Sequence, residues 1–277
     1  MKNSVDIQGH YTSGTLWARL CEAVAEDGID IASASVEDLA PYDHFHGRGL
    51  EATVEMADAL EVHASHHLLD VGSGLGGPAR YMATRFGCRV SGVDLTGEFC
   101  EVAVKINELL GLSERVAIRH ASAIELPFED GTFDGVYSMN VSMNIAEKSA
   151  LYREMHRVMR PAGWLALSEI AAGPNEGLQF PTPWASSADA SFLVTPDATR
   201  AGLEANGFEV ISVRDALAQG RDYAARSRAL IERGEKPMHR AVGLVHPDVA
   251  ATAAANSGKG TKDGCTIPIE VLCRRKP

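Results

Sequence analysis

Hydrophobic and polar residues alternate with two different periods through the middle of the chain. Short apolar runs at 67–71, 89–93, 116–118, 135–138 and 164–167 are typical of buried strands. Between these runs, apolar residues recur three or four positions apart, as in helices that pack one face on a sheet. Strands that alternate with helices predict βαβ units and a parallel sheet that is covered on both faces.

The remaining regions show weaker patterns. Gly111 and Pro161 mark helix ends, because glycine favours the position after a helix and proline cannot continue one. The same rules predict helices near 16–24, 50–60 and 198–205, strands at 208–213 and 266–273, and a polar, glycine-rich turn at 256–264.

Together these elements predict a doubly wound, Rossmann-like α/β fold with a mostly parallel seven-stranded sheet and helices on both faces. We expect residues 1–64 to form an N-terminal helical cover or lid, and residues 65–277 to form the main domain, in one compact unit. Residues 171–195 are rich in Gly, Pro and Ser, and we expect them to form an excursion over the substrate side, since long loops are often functional.

Composition narrows the classes of partner. Of 277 residues, 37 are acidic and 26 basic, so the net charge of -11 opposes a nucleic-acid partner. No apolar stretch approaches the roughly 18 residues of a spanning helix, and residues 1–10 lack the pattern of a secretory signal. Five scattered cysteines form no CxxC pair, so neither a metal site nor a disulfide scaffold is predicted. We expect a reduced, cytoplasmic protein without a membrane partner, either a monomer or a homodimer.

The densest group of glycines directly follows the strand predicted at 67–71. Gly72, Gly74 and Gly77 spell GxGxxG, which is typical of dinucleotide sites, whereas Gly72, Gly74 and Gly76 spell GxGxG, which suits a nucleoside–amino-acid cofactor. Asp94 ends the next strand, where a carboxylate can accept hydrogen bonds from ribose hydroxyls in either case. The glycines and Asp94 leave both cofactors open.

Asp70 favours the second cofactor. It lies two positions before the first glycine, where a carboxylate could meet a cationic amino group but would repel a pyrophosphate. Three further segments follow in order, Leu-Pro-Phe at 126–128, Gly-Thr-Phe-Asp at 131–134 and Arg-Pro-Ala-Gly at 160–163.

With these motifs the chain resembles the class I S-adenosylmethionine-dependent methyltransferases over about residues 65–170. It is also similar to the sarcosine/dimethylglycine N-methyltransferase-like group at 45–53, 74–81 and 268–274. The resemblance implies that residues 65–277 are a class I methyltransferase domain, which binds S-adenosylmethionine and releases S-adenosylhomocysteine.

The resemblance also implies which residues bind the cofactor. The glycines would pass beneath its methionine and ribose parts, Asp94 would hold the ribose, and Leu95 would contact the adenine. Ser122 stands where many relatives have an aspartate, so its hydroxyl would be a weaker acceptor for the adenine amino group. The implied cofactor-binding residues are Asp70, Gly72, Gly74, Gly76, Asp94, Leu95, Ser122, Ala123 and Asn140.

Methyl transfer requires an acceptor atom in line with the methyl carbon, and a base helps when that atom carries a proton. His46 is the candidate for this base or for a substrate contact, against a purely structural role or a metal ligand. Arg48 could pair with a substrate carboxylate, or it could be a solvated or capping arginine. The other candidates on the substrate side are Tyr11 as a lid aromatic, Asn144 after the fourth strand, and Trp184 in the excursion.

The sequence therefore predicts an enzyme that methylates a small molecule. The acceptor could be an amine such as sarcosine or dimethylglycine, or a natural-product intermediate methylated at oxygen or carbon. Two other classes stay open, a nicotinamide oxidoreductase and a protein that binds S-adenosylmethionine without methylating anything. The sequence leaves the methylated atom undetermined.

Overall fold

The computed structural model describes residues 7–276, which form one seven-stranded sheet with helices on both faces. The strands are β1 His67–Val71, β2 Arg89–Asp94, β3 Val116–His120, β4 Phe133–Met139, β5 Met159–Ala172, β6 Phe208–Asp215 and β7 Thr266–Arg275. All seven strands predicted from the apolar runs are present, and the predicted fold class is confirmed.

The order of the strands determines where a ligand can enter. The sheet runs β3-β2-β1-β4-β5-β7-β6, with β1 to β5 parallel and β7 antiparallel to both of its neighbours. The chain moves outward from β1 to β3 and then returns to the other side of β1 as β4. Open α/β sheets bind ligands at this reversal, beyond the carboxyl ends of the strands. The glycine loop after β1 lies at that point.

Eleven α-helices occur within residues 7–276. They are α1 Ile7–Tyr11, α2 Leu16–Glu26, α3 Val36–Asp43, α4 Leu50–Asp58, α5 Gly77–Phe86, α6 Gly97–Leu109, α7 Lys148–Val158, α8 Pro196–Ala205, α9 Leu217–Glu232, α10 Ala241–Val245 and α11 Ala250–Lys262. Three short 3₁₀ helices complete the set, at Ile31–Ser33, Ser142–Asn144 and Ala188–Ala190.

The N-terminal helices pack directly on the glycine loop. Leu16, Leu20 and Val24 on α2 share one buried cluster with Leu75 of the loop and Phe99 of α6. The same cluster includes Leu39 and Tyr42 of α3 and Leu244 and Val245 of α10. The proposed boundary at residue 64 stays a prediction, but the two predicted regions share a core.

One local prediction is wrong. The predicted turn at 256–264 lies almost entirely within α11, which ends at Lys262. Gly260 is buried, and a side chain there would come within 2.5 Å of Leu178 in the excursion. This glycine therefore permits close packing of a helix, which local sequence patterns cannot distinguish from a turn.

Candidate active site

The loop between β1 and α5 requires glycine at positions 72 and 74 for two different structural reasons. Both have positive φ, 75° at Gly72 and 52° at Gly74, which side-chain-bearing residues rarely adopt. A methyl group on Gly72 would lie 2.2 Å from Val141, whereas one on Gly74 would meet nothing within 4 Å. Gly72 is therefore required by packing, and Gly74 leaves space beside the loop that a ligand can fill.

A buried arginine holds this loop in shape. Arg80 is fully buried on α5, and its guanidinium donates hydrogen bonds to the Leu75 carbonyl, to Asn107 Oδ1 at 2.8 Å and to Asp43 Oδ2 at 2.9 Å. Burial acts to raise the pKa of Asp43, but Arg80 and His44 together hold that pKa below its ordinary value. Sequence reasoning missed this ion pair, because its members are far apart along the chain.

Asp94, the last residue of β2, is hydrogen-bonded to the glycine loop. Its two oxygens accept hydrogen bonds from the backbone N–H of Gly74 and of Thr96, each at 2.8 Å. Burial raises the pKa of Asp94, and these two hydrogen bonds oppose the increase. The carboxylate is thus fixed at the edge of the loop, oriented by backbone on both sides.

A cavity of about 190 Å³ lies beside Asp94 and the loop. Seven of the nine residues implied as cofactor contacts line it, namely Gly72, Gly74, Asp94, Leu95, Ser122, Ala123 and Asn140. Tyr11 and Asn144 also line it. The Ser122 hydroxyl accepts a hydrogen bond from the backbone N–H of Ile124 at 3.4 Å. The first cavity is therefore lined by residues that follow or end β1, β2, β3 and β4.

Asp70 and Gly76 do not line this cavity. Gly76 is the residue before α5, and a side chain there would lie 2.8 Å from Arg80 Nη1. Asp70 is buried on β1, and its Oδ2 has no hydrogen-bond partner among the described residues. Burial raises the pKa of Asp70 to about 8. The Tyr137 hydroxyl and the charge of Arg80 offset this increase only in part, and a cationic ligand group would relieve the rest.

A second, larger cavity of about 670 Å³ adjoins the first, and we call it the acceptor chamber. The two cavities share Tyr11, Phe45 and Asn140, which therefore mark their junction. Asn140 has a φ of 57°, and its backbone N–H donates to the Ser168 carbonyl at 2.7 Å. A left-handed asparagine directly after β4 places its side chain at the junction, where backbone strain is often functional.

Tyr11, predicted to be a lid aromatic, contacts the excursion through its hydroxyl. Tyr11 Oη lies 3.3 Å from Asn144 Oδ1, and Asn144 Nδ2 donates to the Trp184 carbonyl at 2.6 Å. The Trp184 indole donates to Ser191 Oγ at 2.9 Å, so this part of the excursion is internally fixed. Tyr11, Asn144 and Trp184, predicted separately, thus form one hydrogen-bonded group beside the junction.

The structure places His46 and Arg48 in the wall of the acceptor chamber. Arg48 is largely neutralised there, because its guanidinium donates to Glu55 at 2.7 Å and to Glu270 at 2.6 Å. Both ring nitrogens of His46 have protein partners, Gly47 O at 3.3 Å and Thr53 Oγ1 at 3.2 Å. Burial lowers the pKa of His46 well below its ordinary value, so the ring is neutral.

Much of the chamber wall comes from the C-terminal third of the chain, which the sequence left without a role. Three residues of α9 spaced four apart, Tyr223, Ser227 and Ile231, form a stripe along the chamber. That spacing was a usable signal. The other chamber residues from this third are Ala224, Arg228, His239, Val242, Ala254, Ala255 and Ser257.

No group of three or more His, Cys, Asp or Glu side chains within 7–276 is arranged to hold a metal ion. None of the helices described here combines the length and apolarity that crossing a membrane requires.

Residues 69–167 match the family model described as "Methyltransferase domain". The chain is 35% identical over 122 residues to the methyltransferase GfsG of Streptomyces halstedii, a match covering 44% of each protein. It is 27% identical over 185 residues to a sarcosine/dimethylglycine N-methyltransferase of Halorhodospira halochloris, covering 66% of each. The chain aligns with less than half of the length of several of the curated relatives it matches.

The fold matches a solved structure over nearly its whole length. The crystal structure of the cyclase SpnF superimposes with a TM-score of 0.70 and 23% identity, covering 99% of this chain and 98% of that one. Residues 69–167 therefore match the methyltransferase domain family, and the chain as a whole has the fold seen in SpnF.

Proposed function

We propose that this protein transfers the methyl group of S-adenosylmethionine to a largely apolar small molecule held in the acceptor chamber. The observation that carries the proposal is the pair of adjoining cavities that share Tyr11, Phe45 and Asn140. A cofactor in the first cavity and an acceptor in the second would meet at this junction. Holding two reactants about 3–3.5 Å apart and aligned is a large part of what methyl transfer needs.

The residues of the first cavity fit S-adenosylmethionine. Asp94 offers carboxylate oxygens to the ribose, and Ser122 and Leu95 would face the adenine. Asp70, whose buried Oδ2 has no hydrogen-bond partner among the described residues, would accept a hydrogen bond from the cofactor's amino group, directly or through water. When bound, the sulfonium supplies an activated methyl group, and the open side of Gly74 leaves room for the cofactor beside the backbone.

The size of the acceptor chamber favours an acceptor larger than an amino acid. At about 670 Å³ it lies within the range of roughly 300–1,000 Å³ typical of sites for drug-sized ligands. A molecule as small as dimethylglycine would fill only a small part of it. We therefore favour a natural-product intermediate over sarcosine or dimethylglycine.

The charges of the chamber agree with this preference. No Asp or Glu within the described residues lines it, so a cationic amine would find no carboxylate there. Arg48 is balanced by Glu55 and Glu270, so it is poorly placed to take a substrate carboxylate. Arg228 also lines the chamber, and a wall that combines aromatic, aliphatic and cationic side chains without a carboxylate suits an acceptor methylated at a hydroxyl or an acidic carbon.

The test combines binding with product analysis. We expect S-adenosylmethionine and S-adenosylhomocysteine to raise the melting temperature, and NADH to have no effect. With trideuteromethyl S-adenosylmethionine, we expect estradiol, an apolar probe bearing a phenol and an alcohol, to gain one labelled methyl group by mass. Dimethylglycine and sarcosine are the matched small acceptors.

Each outcome decides between the alternatives. Labelled methylation of dimethylglycine in preference to estradiol would return the protein to the amine class. Stabilisation by S-adenosylhomocysteine without labelling of any probe would favour a non-methylating role. Stabilisation by NADH alone would contradict the cofactor assignment.

A further inference from the structure

Two histidines line the acceptor chamber, and they differ in which ring nitrogens are free. In His46, Nδ1 lies 3.3 Å from the Gly47 carbonyl, so Nδ1 must carry the hydrogen, because a carbonyl only accepts. Its Nε2 then accepts from the hydroxyl of Thr53, 3.2 Å away. Both nitrogens of His46 are thus used inside the fold.

His239 has the opposite arrangement. It lies between α9 and α10, and its Nε2 is 2.7 Å from the His44 carbonyl. That contact requires Nε2 to carry the hydrogen, which leaves the lone pair of the neutral ring on Nδ1. No hydrogen bond to Nδ1 is made by any of residues 7–276. A backbone carbonyl therefore fixes the tautomer and leaves one nitrogen available.

Packing also orients the ring. A methyl group on Gly49 would lie 3.2 Å from His239 Cδ2, so this edge of the ring faces the start of α4. The adjacent Nε2 points at the His44 carbonyl, which also accepts from the His46 backbone N–H at 2.9 Å. The opposite edge, Nδ1 and Cε1, is the part left for the chamber that His239 lines.

We propose that His239 is the catalytic base of the methyl transfer, an inference that rests on the proposed function. Nδ1 takes the proton of an acceptor hydroxyl or acidic carbon while that atom forms its bond to the methyl carbon. The carbon–sulfur bond breaks, its electron pair stays on sulfur, and the imidazolium later releases its proton to water. His46, predicted from the sequence, has no nitrogen free for this step.

The surroundings keep this ring neutral before reaction. The titratable and charged groups near it are His44, His46 and Arg48 in the segment before α4, and Tyr223 on α9. Burial and the charge of His44 lower the pKa of His239, although the hydrogen bond to the His44 carbonyl opposes this. A neutral imidazole with a free lone pair is the state that a general base requires.

The test uses isosteric variants with estradiol as the probe. H239Q keeps a donor toward the His44 carbonyl, and H239N keeps an acceptor near the position of Nδ1, but neither side chain can take up a proton. We expect both to lose about 10²- to 10⁴-fold in kcat, to lose the acid limb of the pH profile, and to bind S-adenosylhomocysteine normally. H66Q, remote from both cavities, is the control variant.

Two results would overturn the inference. Wild-type turnover in H239N would show that Nδ1 only positions the acceptor. An acid limb that survives in H239Q but disappears in H46Q would assign the base to His46.

A second readout needs no acceptor. Nitrogen-15 NMR of the S-adenosylhomocysteine complex should show the Nε2–H tautomer for His239 and the Nδ1–H tautomer for His46. An Nδ1–H tautomer at His239 would contradict the proposal whether or not estradiol is methylated. Absence of estradiol methylation by the wild type would count against the proposed function, and the tautomer measurement would then decide on His239.

Discussion

Asp70 illustrates how a single buried group can link stability to ligand binding. Its carboxyl is fully buried and forms no ion pair with the described residues, and burial raises its pKa to about 8 although Tyr137 and Arg80 oppose the increase. Between the unfolded value near 3.9 and about 8, the folded state holds a proton that the unfolded state has lost. The free energy of unfolding therefore falls as pH rises through this window, by about 1.4 kcal/mol per pH unit.

We expect Asp70→Asn to remove this pH dependence. The variant should match the wild type near pH 4 and become progressively more stable than it up to about pH 8, because asparagine never ionises. Urea titrations without ligand, at several pH values, measure the difference. Affinity for S-adenosylhomocysteine should fall in the same variant, because the amino group of the cofactor loses its carboxylate. A constant stability difference across this range would contradict the assigned pKa.

Gly72 and Gly74 allow a matched comparison. Both have positive φ, so alanine costs a similar backbone strain at each, about 1 kcal/mol. We expect Gly72→Ala to lower the melting temperature strongly, because its methyl would overlap Val141. Gly74→Ala should fold with only the strain penalty and lose affinity for S-adenosylhomocysteine. Calorimetry of unfolding and of binding measures both, and normal binding by Gly74→Ala would remove this glycine from the cofactor site.

At the scale of elements, one carboxylate joins the N-terminal segment to helix α6 by hydrogen bonds. Glu98, in the first turn of α6, accepts hydrogen bonds from the backbone N–H groups of Ser13 at 2.6 Å, Gly14 at 2.9 Å and Leu16 at 2.8 Å. Burial acts to raise the pKa of Glu98, but these hydrogen bonds lower it overall. The stability that this contact contributes is therefore fully present at pH values above the ordinary pKa of glutamate, and it is lost as the pH falls through the lowered pKa of Glu98.

We expect Glu98→Gln to loosen the segment that carries Tyr11. Amide exchange in residues 11–20 should accelerate, and affinity for S-adenosylhomocysteine should fall, because Tyr11 lines the first cavity. Hydrogen-exchange mass spectrometry follows the segment directly. Glu101→Gln, an exposed change on the same helix, is the control. Equal exchange in the two variants would show that Glu98 does not hold the lid.

Helix α9 contributes to the acceptor chamber although it lies outside the core. None of its residues is buried, yet its stripe of Tyr223, Ser227 and Ile231 faces the acceptor chamber. A bidentate ion pair between Arg226 and Glu51, at 2.8 and 2.7 Å, joins α9 to α4.

At the scale of the whole molecule, cofactor binding should stabilise a single unit. The buried cluster that joins α2, α3, α6 and α10 crosses the glycine loop, so a ligand on the loop should act on all of them. At 100 times its dissociation constant, S-adenosylhomocysteine should add about 2.7 kcal/mol to the free energy of unfolding. One cooperative transition that shifts as a whole in calorimetry is expected. A separate, unshifted transition would mean that the N-terminal cover unfolds independently.

Local sequence patterns were sufficient to predict a feature wherever the interactions that produce that feature are between residues close together in the chain. The strand ending at Val71, the glycines after it and Asp94 all follow from periodicity and backbone geometry within about 30 residues. The seven strands and the parallel direction of the first five were accordingly predictable, whereas Leu95, Ser122, Ala123 and Asn140 were expected in the site only because the chain resembles the methyltransferases. Gly260 was not, because its neighbour Leu178 is distant in sequence.

The sequence by itself determined the class of fold, the cofactor loop and the position of Asp94, since these depend on residues close together in the chain. Only the tertiary structure decided the acceptor side. It showed that Arg48 is neutralised by Glu55 and Glu270, and that His46 has no free nitrogen. It also placed His239 beside them in the chamber wall. Charge balance, tautomers and cavity volume depend on contacts between distant segments, which folding alone brings together.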